Sequence, residues 1–179
     1  NGNVMWLALS GDSNQQVWDM EFMVQYPDYT FDIRKLDAQI FLHKFYNSTI
    51  TIDAQAGTVL CRELVKALQQ ILLGLHEGSE GYGNFGPATL AACPDLFVGM
   101  TPSGSLTEDK LKRLITLFCH AMFCKGYSTV GIYDTYNANV ASGVKSLQAS
   151  AGLEQDGIVT PQLMKAVFNT DSYVLSLVG

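Results

Sequence analysis

The sequence contains no run of lysine or arginine able to neutralise a row of phosphates, and its 11 basic residues are outnumbered by 17 acidic ones, for a net charge of −6. That balance argues against nucleic acid as a partner. No stretch approaches the roughly 18 consecutive apolar residues that span a bilayer, so no membrane partner is expected. Histidine is confined to His43, His76 and His120. Neither His-x-x-x-His nor Cys-x-x-Cys spacing occurs, which removes the usual zinc-peptidase patterns, and no metal or other cofactor is expected. Charged residues make up only 16% against 47% hydrophobic. This is the composition of a folded globular chain, not a disordered one.

Four cysteines, Cys61, Cys93, Cys119 and Cys124, would permit disulfides in an oxidising compartment, but their spacing does not demand them. Cys119 and Cys124 fall within one expected helix, pointing in different directions, so buried thiols are the plainer reading. The chain begins at Asn1, not Met, and is expected to be a fragment or a mature form. Its 179 residues suit one compact domain or two small ones packed together.

Internal repetition decides in favour of two. Val65-Lys66-Ala67-Leu68-Gln69 returns as Val144-Lys145-Ser146-Leu147-Gln148, and each is followed by a Gly-Leu pair, Gly74-Leu75 and Gly152-Leu153. After a spacer, shorter in the second copy, Gly83-Asn84-Phe85-Gly86-Pro87 aligns with Gly157-Ile158-Val159-Thr160-Pro161. The first block carries apolar residues at helical spacing: Leu64, Leu68, Ile71 and Leu72 in one copy, and Val140, Val144, Leu147 and Ala151 in the other. Glycine stops each helix. Gly86-Pro87 and Thr160-Pro161 each place a cap before a proline at the first helical position, opening a short final helix.

A longer helix precedes each central one. Thr107 is the expected cap of a helix with Leu111, Leu114, Ile115, Phe118 and Met122 on its buried face, ended by Gly126. In the first copy Asp32 is the expected cap, the apolar positions are Ile33, Leu36, Ile40, Phe41 and Phe45, and the helix ends near Asn47. The stretch from Pro94 to Ser105 is rich in Pro, Gly and Ser and reads as the connector. Residues 1–30 fit neither copy: Val4 to Leu9 suits a short strand or a helical turn, and Gly11-Asp12-Ser13 a turn before a helix containing Val17, Met20 and Val24. The expected organisation is all-α: an N-terminal extension over 1–30, a first repeat over 31–98 and a second over 99–179.

The second copy resembles the three-helix peptidoglycan-binding domain of bacterial and phage cell-wall hydrolases over about residues 107–170. The resemblance rests on Leu147-Gln148, Gly152-Leu153 and the turn Asp156-Gly157-Ile158-Val159-Thr160-Pro161. The first copy is similar but degenerate, with a Gly-rich loop from His76 to Gly83. The pairing, with the tail Asn169-Thr170-Asp171-Ser172-Tyr173-Val174, is similar to tandem repeats attached to a glycoside-hydrolase-like domain in Gram-positive bacteria. The resemblance implies a secreted or wall-located, non-catalytic module that recognises stem peptide or glycan, with any catalytic domain outside this chain.

The resemblance also implies recognition in a shallow groove near the loops and helix starts, where free N–H groups attract the carboxylates of stem peptides. The candidate ligand contacts there are Tyr133, Tyr136, Asn137, Asp156, Ile158, Thr160 and Gln162, with Asn84, Phe85 and Thr89 in the first copy. Each has a plainer reading. Tyr127, Tyr133 and Tyr136 suit a partly buried core edge, and Thr160 and Ile158 a cap and a packing contact. A muramidase would need two facing carboxylates, but Asp19 with Glu21 and Glu77 with Glu80 read as solvated charge. Cys119-His120 beside Cys124 reads as a packed helix, and no catalytic residues are assigned. The alternatives are a muramidase-type glycoside hydrolase fragment and a structural or protein-binding module that has lost wall affinity.

Overall fold

The computed structural model describes residues 4–8, 15–19, 33–54, 57–127 and 131–169, and these are mainly helical. An antiparallel hairpin of β1 (Val4–Ala8) and β2 (Gln15–Asp19) pairs Trp6 with Val17. Six helices follow: α1 (Ile33–Tyr46), α2 (Thr58–Leu73), α3 (Pro87–Ala92), α4 (Glu108–Cys124), α5 (Ala138–Ser150) and α6 (Pro161–Asn169). The helix expected to contain Val17 is corrected: Val17 lies in β2, where a β-branched residue beside Trp18 suits a pleated strand paired to a neighbour. Met20, Val24, Glu21, the Asp32 cap and the tail beyond Asn169 lie outside the described residues.

Local chemistry sets the helix ends. The Thr107 side chain accepts a hydrogen bond from the Lys110 N–H at 3.3 Å, and Glu108 and Asp109 occupy the positive end of the α4 dipole. At α6 the Thr160 Oγ1 accepts from the Leu163 N–H at 3.2 Å, ahead of Pro161 at the first helical position. The α2 helix stops at Gly74, with φ of 65°, and α1 at Asn47, with φ of 51°. Ser48 then donates its N–H back to the Leu42 carbonyl, closing the last turn.

One buried cluster runs through the described helices, from Ala38 and Leu42 of α1 through Leu64 and Leu68 of α2, Leu114 and Phe118 of α4, and Val144 and Leu147 of α5 to Met164 and Phe168 of α6. Helices α1, α2 and α6 all pack against α4. Its buried stripe was expected on one face, yet from Leu117 to Met122 every residue is buried, because neighbours enclose that half from several sides. Phe45 departs in the opposite sense: expected in the core, it is 48% exposed. The four cysteines are buried thiols, and burial pushes Cys93 up to about 12 and Cys119 up to about 11, far from nucleophilic character. A two-hydrogen-bond bridge joins Leu96, after α3, to Val159, before α6, with both N–H···O distances 2.9 Å.

Candidate functional site

The repeated sequence blocks meet at two turns, each held by a buried glutamine. Gln148 of α5 accepts the Gly157 N–H on its Oε1 at 2.9 Å, while its Nε2 donates to Asp156 Oδ1 at 2.7 Å and to the Ile158 carbonyl at 3.1 Å. Gln69 of α2 accepts the Gly83 N–H at 2.7 Å, and its Nε2 donates to the Asn84 carbonyl at 2.8 Å and the Gly81 carbonyl at 3.1 Å. It also donates to Thr89 Oγ1 of α3 at 3.0 Å. In both turns one amide satisfies a glycine N–H and the carbonyl of the residue after it. A buried side-chain amide has the donors and acceptor to do this without leaving a polar group stranded.

The glycines are required by conformation and by space. Gly83 and Gly157 have φ of 88° and 75°, a region that side chains with a Cβ avoid. A Cβ on Gly83 would meet the Arg62 and Lys66 side chains at 3.0–3.4 Å, and one on Gly157 would meet Lys145 at 3.2 Å and Ala141 at 3.4 Å. With Gln69 set on Gln148, Arg62 falls on Ala141 and Lys66 on Lys145. Each turn therefore rests on corresponding positions of its own helix.

Around this shared frame the two turns differ. Thr58, Cys61, Arg62, Gly83, Asn84 and Asn169 line a cleft of about 270 Å³ on the first turn. The N-cap of α2, Gly57, supplies no side-chain hydrogen bond, and no acidic residue occupies the first turn. The helix start and the exposed Arg62 thus give the cleft positive character. On the second turn Val140 and Ala141 replace Cys61 and Arg62, and the Asn137 side chain caps α5 by accepting from the Asn139 and Val140 N–H groups.

The predicted residues divide accordingly. Tyr136 is 2% exposed and donates its hydroxyl to the Gly157 carbonyl at 2.6 Å, and burial raises its pKa. Phe85 is in the core, and Thr89 is buried against Gln69. These three hold the turns from within and offer a ligand no surface. Asn137 and Thr160 are caps, the latter exposed. Tyr133 is half-buried, its hydroxyl accepting from Asn139 Nδ2 at 2.9 Å. Asp156, Ile158, Gln162 and Asn84 are exposed. The Ile158 N–H and the Gln148 amide hold the Asp156 carboxyl below the usual carboxylate range. Sequence reasoning missed Gln69, Gln148 and Arg62. For the glutamines the signal was present, since each closes the repeated block.

Glu77 and Glu80 are exposed in the loop, Glu77 lying 3.4 Å from Lys66 Nζ. His120 is enclosed in α4, stacked on Phe41 with ring centroids 3.8 Å apart. Among the described residues, no three His, Cys, Asp or Glu side chains gather as a metal-binding group, and no helix is long and apolar enough to cross a membrane.

These features define a helical chain with a duplicated glutamine-held turn. It is similar to two proteins of Bacillus subtilis (strain 168). The chain is 34% identical over 131 residues to the uncharacterized protein FadG, a match covering 73% of this chain and 21% of FadG. It is 32% identical over 113 residues to the uncharacterized protein YbfG, covering 63% of this chain and 14% of YbfG. The chain thus spans about a fifth or less of the length of these curated relatives. No protein-family model and no solved structure matches it.

Proposed function

We propose that this chain is a non-catalytic peptidoglycan-binding module of the cell wall, made of two tandem three-helix units over about 31–98 and 99–179, which holds an attached or partner cell-wall hydrolase on its substrate. The observation that carries the reading is the pair of turns at Gly83 and Gly157, each fixed by the glutamine that ends the repeated helix motif. Equivalent hydrogen bonds at equivalent positions support a duplicated unit. The motif in which they sit is the one that resembles the wall-binding domain. Relatives several times longer than the matched region suit a module carried by a larger protein.

Recognition by such a module is short-range, since a chain of net charge −6 gains no long-range attraction to an anionic wall. The cleft beside Arg62, the exposed turn residues Asn84, Asp156 and Ile158, and Gln162 at the start of α6 are its offered surface. The test is co-sedimentation of the purified chain with peptidoglycan sacculi. The chain is expected in the pellet, without clearing a turbid wall suspension. Failure to sediment with sacculi of several wall types removes the proposal, and loss of turbidity would replace it with a muramidase.

A further inference from the structure

Away from the turns, α1 and α4 border a groove of about 460 Å³ lined by Phe41, Phe45, Tyr46, Lys112, Arg113, Thr116 and the carboxylate of Asp134. One wall is aromatic. Phe41 lies 5.2 Å from Phe45 and 5.6 Å from Tyr46 between ring centroids, and only Phe45 of the three stands 48% exposed. The other wall is cationic. The Arg113 guanidinium sits 5.6 Å from the Tyr46 ring centroid, an arrangement that orients its fork. Lys112 lies on the same turn of α4.

Both cations have carboxylate neighbours on their own helix, Glu108 at 2.9 Å from Lys112 and Asp109 at 3.9 Å from Arg113. Those carboxylates are 73% and 81% exposed, so the pairs are weak surface contacts that an incoming anion can displace. A half-exposed phenyl, with Lys44 Nζ 5.4 Å from its ring centroid and with Lys112 and Arg113 lining the same groove, suits an occupant with an apolar portion and a carboxylate. A neutral sugar ring can stack on Phe45 but gives the guanidinium no anion. A short peptide with small apolar side chains and a free carboxyl end satisfies both walls, and its amino groups can meet Asp134.

We infer that the groove between α1 and α4 binds the carboxylate-bearing peptide of the wall polymer, its apolar side chains against Phe45 and its carboxylate on Arg113 and Lys112. The inference rests on the proposed wall-binding function and assigns the peptide, not the glycan, to this groove.

The experiment titrates the intact chain with a soluble disaccharide-tetrapeptide and with a neutral disaccharide of N-acetylglucosamine, followed by calorimetry. The peptide-bearing probe should bind and the neutral disaccharide should not. Arg113→Gln should weaken binding by about tenfold or more, as expected for loss of a charge-assisted pair. Phe45→Ala, at a half-exposed position, should weaken it with the helical circular dichroism unchanged. Equal binding of both probes, or wild-type affinity in both variants, overturns the inference. If wild-type chain still sediments with sacculi in that case, the wall-binding function survives and the groove assignment alone falls. If wild-type chain neither sediments nor binds either probe, both fall.

Discussion

Gln148 and Gln69 look like solvated polar residues in the sequence, yet both are buried, 4% and 1% exposed, and both satisfy backbone groups of a turn. Replacing Gln148 with Leu keeps the volume and strands the Gly157 N–H in the interior. That should cost about 1–3 kcal/mol, the usual penalty for a buried donor left without an acceptor. A urea unfolding curve measures it, and an unchanged midpoint would show that the turn holds itself. A second residue-scale prediction concerns His120. Burial pushes its pKa from 6.5 down to about 3, with the Asp37 carboxylate 3.6 Å from Nδ1. The unfolded chain takes up this proton first, so stability is intact above pH 6.5 and is lost as pH falls from there towards 3. The slope is at most about 1.4 kcal/mol per pH unit. Urea midpoints across that window should fall less steeply in His120→Gln than in the wild-type chain.

Helix ends were the most legible elements, because caps act through neighbours in sequence. Thr107, Thr160, Pro87 and Pro161 stand where their chemistry puts them, and of the expected stripes Leu64, Leu68, Ile71 and Val140, Val144, Leu147 are buried while Leu72 and Ala151 are half-buried. Thr160→Ala should therefore cost about 1 kcal/mol as a lost cap, read as a lower thermal midpoint. Unchanged stability with lost sedimentation on sacculi would make Thr160 a ligand contact instead. What the sequence hid was tertiary. Phe45 continues the apolar spacing of α1, but that spacing cannot say that the face at this level meets a groove. Val17 was misread because a short apolar run suits a strand or a helix until its partner strand is known. Among the predicted contacts, Phe85, Thr89 and Tyr136 proved internal, since side chains that build a turn and side chains that reach from it have the same place in the sequence.

At the scale of the whole molecule, the helices of the two sequence copies share one core. Leu114 and Phe118 of α4 lie in the same buried cluster as Leu64 and Leu68 of α2, and Leu96 is tied to Val159. Residues 99–179 expressed alone should therefore expose faces of α4 and α6 that α1 and α2 cover. We expect this fragment to lack a cooperative thermal transition and to associate in gel filtration, whereas a sharp, monomeric transition would show that the second copy is self-sufficient. The enclosed half of α4 also constrains how such a chain is inherited. A crossover that imported one half without the other would deliver a helix whose apolar surroundings had been left behind.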